Sequence, residues 1–198
     1  TIINMGITLS HFQTILKSVK KKDTIELSIE KPSELCIKTT PNTKTSNSRT
    51  TTSYITIQNI TTIEIDLPCS YNKPITILST EFQKMCKELQ NIGSNIVTIK
   101  SSKQSLCFSC NADCIIKRNI EFGDNFVSSD VSYEETFPID YLSSIQKISG
   151  LGSNIQVLVK PDLPLLLRVY FGTKSYIAVY MWSENLKKKL AELSDDEY

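Results

Sequence analysis

Apolar residues recur at helical spacing in three places along the chain. From Thr8 to Lys20, the residues Leu9, Phe12, Ile15, Leu16 and Val19 fall at i, i+3 and i+4 steps, so one apolar stripe predicts an amphipathic helix. From Glu81 to Ile92 the stripe is Phe82, Met85, Cys86, Leu89 and Ile92, and Thr80 with Gln83 reads as a T-x-x-Q capping box at its start. From Pro138 to Ser149 it is Tyr141, Leu142, Ile145 and Ile148, with Pro138 suited to the first helical position. Elsewhere the period drops to two. Thr24 to Ile29, Tyr54 to Ile57 and Ile96 to Ile99 alternate as half-buried strands do. Ile155 to Val159 predicts another strand, and Leu165 to Phe171 with Tyr176 to Met181 predicts a hairpin around Gly172-Thr173-Lys174. Leu106 to Cys110 reads as a buried strand. Thr39 to Ser53, rich in Thr, Asn and Ser, reads as a long hairpin loop.

Some of these elements repeat. F-Q-T-I-L-K at Phe12 to Lys17 returns as F-Q-K-M-C-K at Phe82 to Lys87, and G-S-N-I at Gly93 to Ile96 returns at Gly152 to Ile155. Each time a helix ends, a short turn follows and a strand begins. The spacing is longer than that of ordinary solenoid repeats and points to duplicated helix-plus-sheet units in an α+β fold.

Opposite each apolar stripe lies a polar side that carries cations. The first helix sets Ser10, Thr14, Lys17 and Lys21 there, the second Lys84, Lys87 and Asn91 with Glu88 at the edge, and the third Ser143, Ser144 and Lys147 with Asp140 at its start. A solvated helix face is the ordinary reading of such lysines. Repetition of the placement adds another: helices with cations on matching faces suit a phosphate backbone followed without reading bases.

Composition narrows the classes. The 198 residues fit one or two domains, and 40% hydrophobic with 22% charged residues is ordinary for a globular chain. Ser, Thr and Ile make up about a third of the residues, which leans toward strands. Lys and Arg number 22 against 21 Asp and Glu, so the chain is not uniformly basic, although a local basic surface remains open. A single His, His11, removes most histidine-based catalysis, and the six scattered glycines include no phosphate-cradling loop. No signal peptide is visible. The longest apolar stretch, Pro164 to Phe171, is too short to span a bilayer and is interrupted by Arg168.

The six cysteines are Cys36, Cys69, Cys86, Cys107, Cys110 and Cys114. The last three form C-x-x-C-x-x-x-C, which could hold part of a metal site. Zinc requires about four ligands, and neither a nearby His nor a second C-x-x-C supplies the rest. Buried thiols filling core space are the plainer reading, and a Cys-cluster metal-binding protein stays open as an alternative function.

The stretch Ser79-Thr80-Glu81-Phe82-Gln83-Lys84-Met85-Cys86-Lys87-Glu88-Leu89-Gln90-Asn91-Ile92-Gly93 resembles the helix that opens the second domain in the sliding-clamp family of proliferating cell nuclear antigen. Gly6 to Lys17 resembles the second helix of that family's first domain. Phe108-Ser109-Cys110 is similar to its K-F-S-A strand, Asp162-Leu163-Pro164-Leu165 to its D-V-P-L strand start, and Ile63 to Pro68 to the end of its interdomain connecting loop. The likeness covers nearly all of the chain, with motifs in matching order.

The resemblance implies a DNA-clamp fold of helix-plus-antiparallel-sheet repeats with helices on one face of the sheets. It divides the chain into residues 1–59, the second half of an N-terminal clamp domain; 60–68, the connecting loop; 69–185, the C-terminal clamp domain; and 186–198, a charged tail. Four helices per subunit are implied where the periodicity predicts three, so the first half of the first domain is expected to precede Thr1.

It also implies a non-enzymatic polymerase processivity factor without a cofactor. This factor would be a homotrimeric ring around double-stranded DNA that engages a clamp loader, DNA polymerase and other groove-binding peptides. Its place would be the nucleus, or a cytoplasmic replication site if virus-encoded, and no membrane is involved. A checkpoint-type subunit of a hetero-ring is the alternative within the fold. The implied DNA-facing residues are Lys17, Lys84, Lys87 and Lys147, while Thr14 and Asp140 stand where the family often has cations. The implied partner groove is Ile65, Leu67, Pro164, Tyr180, Met181 and Trp182, with Trp182 replacing a small residue. The implied subunit interface lies on edge strands from Tyr54 to Ile60 and Cys114 to Glu121, with Tyr54, Ile55, Ile57, Ile115, Ile116 and Ile120. Unpaired edges are a liability unless they pair between subunits, and head-to-tail pairing that closes makes a ring.

Overall fold

The computed structural model describes residues 5–42, 49–59, 66–112, 115–124, 126–173 and 175–195, the side chains of 193–195 excepted. The chain divides into two compact units, Thr1–Asp66 and Leu67–Tyr198.

The first unit holds α1 (Leu9–Lys17), β1 (Thr24–Lys31), β2 (Glu34–Thr40) and β3 (Thr51–Thr56). The three strands form an antiparallel sheet in the order β1-β2-β3. Leu35, Ile37 and Ile55 make its buried core, against which Met5, Ile7, Phe12, Ile15 and Ile57 pack. The stripe predicted for α1 therefore meets the sheet through Phe12 and Ile15. The helix ends at Lys17, with Ser18 as its C-cap, earlier than the periodicity predicts. The expected loop from Thr39 to Ser53 is shorter at both ends. Thr39 and Thr40 belong to β2, and Thr51 to Ser53 belong to β3, because they pair with each other across the ladder (Thr39 with Thr51, Ile37 with Ser53).

The second unit is a duplicated arrangement. A first repeat runs β4 (Ile75–Leu78), α2 (Ser79–Gln90), β5 (Ile96–Ser102), β6 (Ser105–Ala112) and β7 (Ile116–Phe122). A second runs β8 (Val131–Pro138), α3 (Ile139–Ser149), β9 (Asn154–Leu158), β10 (Leu165–Phe171) and β11 (Ser175–Met181), and α4 (Glu184–Asp195) follows. Each repeat gives its first strand to the other. The two antiparallel sheets are β11-β10-β9-β4 and β7-β6-β5-β8. The junctions mirror one another: the Ser79 amide donates to the Ser153 carbonyl at 2.9 Å, and the Ile139 amide to the Asn95 carbonyl at 3.0 Å. These acceptors lie in the two G-S-N-I segments, so the sequence repeat marks the turns that receive the opposite helix.

The helix stripes and the inward residues of both sheets share one core. Phe82, Met85, Cys86 and Leu89 of α2 and Leu142 and Ile145 of α3 pack with Val97, Ile99, Leu106, Phe108, Phe137, Ile155, Val157, Leu165 and Leu167. Phe108 meets Phe82 and Phe122 edge to face, with ring centroids 6.3 and 5.9 Å apart. The α+β class and helices on one face of the sheets are thus as expected.

Three local expectations fail. The Thr80–Gln83 capping box does not form: α2 starts at Ser79 without a side-chain cap, and Gln83 Nε2 donates instead to the Gln146 carbonyl of α3 at 3.1 Å. Pro138 ends β8 and caps α3 without entering the helix. The expected solvated charged tail is not one over its described part, residues 186–195, which lie in the helix Glu184–Asp195. Ser183 Oγ accepts the Leu186 amide at 3.1 Å as an N-cap. Leu186 is buried, and Asn185 Nδ2, Lys187 Nζ and Lys189 Nζ reach Glu135 Oε2 (3.1 Å), Tyr141 Oη (3.1 Å) and Asp162 Oδ1 (2.6 Å).

Candidate functional site

Helices α2 and α3 pack side by side through polar residues. Besides the Gln83 contact, Gln146 Nε2 donates to the Gln83 carbonyl at 3.5 Å, and Gln90 Nε2 bonds Ser143 Oγ. With one side of each helix in the core and another against its neighbour, a third side is left to solvent. On α2 that side holds Lys84, Lys87 and Asn91, and on α3 it holds Asp140, Ser144 and Lys147, all exposed. None of these three lysines makes an ion pair among the described residues, whereas Glu88, at the flank of α2, is held by Arg118 of β7 at 3.0 Å. In the first unit Lys17 is likewise exposed and unpaired among the described residues. Thr14, where a further cation is implied, spends its hydroxyl on the Ser10 carbonyl at 2.9 Å.

The residues assigned to a groove are partly brought together. Pro164 is buried at the start of β10, and Tyr180 of β11 is half-buried on the sheet face away from the helices. There it lies in one cross-strand row with Leu166 and Leu158. Leu67 and Trp182 are exposed at 56% and 42%. Met181 points the other way, into the core opposite Leu165, because neighbours on a strand face opposite sides. Its side chain is therefore closed to a partner. Ile65 lies outside the described residues.

Sequence reasoning passed over the residue that closes this place. Tyr71 donates its hydroxyl to the Pro164 carbonyl at 2.8 Å, and its ring stands 6.5 Å from that of Tyr180. Lys160 Nζ holds the same segment by the Ser70 carbonyl at 2.9 Å. Burial, and Tyr180 beside it, push the Tyr71 phenol up to about 12. An aromatic residue shortly after Leu67-Pro68, in a stretch with no periodicity of its own, was the only available signal.

The expected edge stretches overlap observed edge strands in part: Tyr54 to Thr56 lie in β3 and Ile116 to Glu121 in β7, while Ile60 and Cys114 lie outside the described residues. β3 borders the sheet of the first unit, and β7 borders one sheet of the second. Tyr54, Ile115 and Ile116 are exposed there, at 57%, 84% and 50%. Ile55 is in the core of its unit, and Ile57 and Ile120 pack against theirs, so their side chains are closed to a partner, and the Ile57 amide is spent on the Ser33 carbonyl at 2.7 Å.

The cysteine cluster does not converge. Cys107 and Cys110, three residues apart on β6, point to opposite faces, and Cys110 lies in the core. Cys114 lies outside the described residues, and no group of metal-ligating side chains gathers among the described ones. A hollow of about 520 Å³ on the outer face of β5–β8 is lined by Thr98, Lys100, Ser109, Lys117 and Glu134 among others. Its Lys100 and Glu134 satisfy each other at 2.7 Å.

Comparison with known proteins agrees with this arrangement. The family model for the C-terminal domain of proliferating cell nuclear antigen matches residues 66–183. A probable DNA polymerase sliding clamp 1 of Paramecium bursaria Chlorella virus 1 is 24% identical over 177 residues, which are 85% of this chain and 67% of that protein. The proliferating cell nuclear antigen of Chaetomium thermophilum is 24% identical over 189 residues, 90% of this chain and 72% of its own length. An uncharacterized protein 060L of Invertebrate iridescent virus 3 is 26% identical over 119 residues, 58% and 42% of the two chains.

Proposed function

The chain belongs to the proliferating cell nuclear antigen family, and on that footing we propose that it is a subunit of a DNA sliding clamp. The observation that carries this reading is the solvent side of the paired helices: Lys84, Lys87 and Lys147 are exposed there without an ion pair among the described residues, with Lys17 exposed in the other unit. Lysines on long flexible stems, with no ion pair among the described residues, attract phosphates weakly and without regard to sequence, and salt screens the attraction. Such contacts suit a ring that holds duplex DNA by topology, since tight contacts would stop it sliding. The names of the viral and fungal relatives support the reading.

In the proposed homotrimer the edges of β3 and β7 pair between neighbouring subunits, with Tyr54, Ile115 and Ile116 adding apolar contact while Ile55, Ile57 and Ile120 hold the edges to their own cores. DNA polymerase and other partners seat apolar anchors beside Leu67, Tyr71, Pro164, Tyr180 and Trp182, and a clamp loader opens the ring. The role is non-enzymatic and is exercised at a replication site, nuclear or, for a virus-encoded protein, cytoplasmic.

The decisive experiment loads the full-length protein on nicked circular DNA and then linearises half of the sample. Retention on circles with loss from linear DNA is the expected result, and equal retention on both overturns the proposal. The mass of the free protein, expected at three subunits, separates a homotrimer from a hetero-ring.

A further inference from the structure

On the outer face of the β11-β10-β9-β4 sheet, one strand row beyond Tyr180, sits a cation without a counter-charge among the described residues. Arg168 of β10 faces Ala178 on β11 and Gln156 on β9, neither of which can neutralise it. Its Nη1 donates to Tyr170 Oη at 3.3 Å, and its guanidinium carbon lies 5.5 Å from the centre of the Tyr176 ring. Its Nε is buried with no hydrogen-bond partner among the described residues. Tyr170 and Tyr176 face each other across the hairpin, rings 5.7 Å apart and about half exposed at 49% and 56%. On the outer face of the other sheet Lys100 has Glu134 at 2.7 Å and Lys103 has Asp130 at 2.8 Å, whereas Lys117 of β7, like Arg168, makes no ion pair among the described residues but has no aromatic rings packed about it as Arg168 has. Arg168 makes no ion pair among the described residues.

A half-buried guanidinium without a carboxylate has lost part of its hydration and gained no ionic partner. Its planar fork fits a carboxylate better than any other common side-chain group, and the flanking rings restrain its orientation. Successive rows on a strand are about 7 Å apart, so this cation lies two to four residues along a peptide whose anchor sits beside Tyr180.

Resting on the groove reading above, we propose that Arg168, between Tyr170 and Tyr176, binds the carboxylate of an Asp or Glu flanking the apolar anchor of groove-docking peptides. The site thereby selects anchors with an acidic neighbour.

The test uses synthetic 14-residue peptides with an adjacent pair of Phe anchors and one Glu two, three or four residues to either side, each matched to a Gln counterpart. On the unmodified protein at least one Glu position is expected to bind about fivefold more tightly than its Gln twin. Arg168→Gln removes that preference while leaving the Gln peptides unchanged, and Arg168→Lys keeps part of it. A preference that survives 1 M salt, or Glu and Gln peptides that bind alike at every position, overturns the proposal. If the peptides bind but Tyr180→Ala leaves their affinity unchanged, or if none binds, it is the groove reading that has failed, and this proposal falls with it.

Discussion

Gln83 and Gln146 trade hydrogen bonds across the α2–α3 seam: each side-chain amide donates to the other's backbone carbonyl, at 3.1 and 3.5 Å. The pair fixes two helices whose solvent sides carry the candidate DNA-facing lysines. It also explains the absent capping box, since Gln83 cannot serve the start of its own helix while it reaches α3.

Truncating either glutamine is expected to destabilise the second unit by about 1 kcal/mol, because each loss removes a hydrogen bond across the α2–α3 seam. The double variant Gln83→Ala with Gln146→Ala should cost less than the sum. Chemical denaturation of the four proteins checks this, and strict additivity would refute the coupling.

Gly150 gives the seam its room. A Cβ at that position would lie 2.8 Å from Gln83 Nε2. Gly150→Ala should therefore push Gln83 off its acceptor and destabilise the otherwise unmodified protein by about 1 kcal/mol. In a Gln83→Ala background the same change should be neutral or stabilising, because the backbone there is ordinary right-handed helix (φ −73°). Thermal melts of both backgrounds distinguish these outcomes.

Lys84→Glu with Lys87→Glu should weaken retention of duplex DNA and flatten its salt dependence by a slope of about two. Neither side chain enters the core, so melting temperature should shift little. A large loss of stability would mean that the solvent side of α2 has been misassigned.

The Tyr71 phenol supplies a test by pH. Burial holds it up at about 12, above its ordinary value near 10, so the fold favours the protonated form. The stability this gives is complete below about pH 10 and is lost as pH rises toward 12. Tyr71→Phe, which cannot ionise, should unfold less steeply over that window than the parent. The buried Tyr133 phenol, also held above its ordinary value mainly by burial, persists in both proteins and contributes largely alike to each. Identical alkaline profiles would show that Tyr71 is not buried in solution.

Thiol labelling should separate the cysteines by burial. Cys36, Cys86, Cys107 and Cys110 are buried and Cys69 is exposed. Burial pushes the Cys86 thiol up to about 12 and also raises that of Cys110. Iodoacetamide at pH 8 should modify Cys69 well before these four, as peptide mapping by mass spectrometry would reveal. Early modification of Cys86 would contradict the packing of α2.

Legibility in the sequence followed length and periodicity. The three apolar stripes located α1, α2 and α3 because each helix lays several residues on one core. β4 was missed, being four residues long, and β8 was missed because Glu134 and Glu135 interrupt the apolar positions Tyr133 and Phe137. In β2 the consecutive burial of Leu35, Cys36 and Ile37 hides any alternation. α4 reads as solvated charge because its docking rests on one buried leucine, with the rest carried by polar contacts to distant residues. Tyr71 and Arg168 were illegible for a related reason. What defines each is a partner elsewhere: Pro164, 93 residues along the chain, for the one, and for the other a ring contributed by the neighbouring strand.

The exchange of first strands between the repeats bears on how the protein is made. Among the described residues β4, at residues 75–78, pairs in its sheet with β9 alone, at residues 154–158. A ribosome must therefore release about 80 further residues before the first strand of this unit can pair, so the opening repeat waits unfinished for the closing one. Slow synthesis between α2 and β9 should leave β4 exposed to protease and chaperone, and a chain cut between α2 and β8 would leave both sheets incomplete.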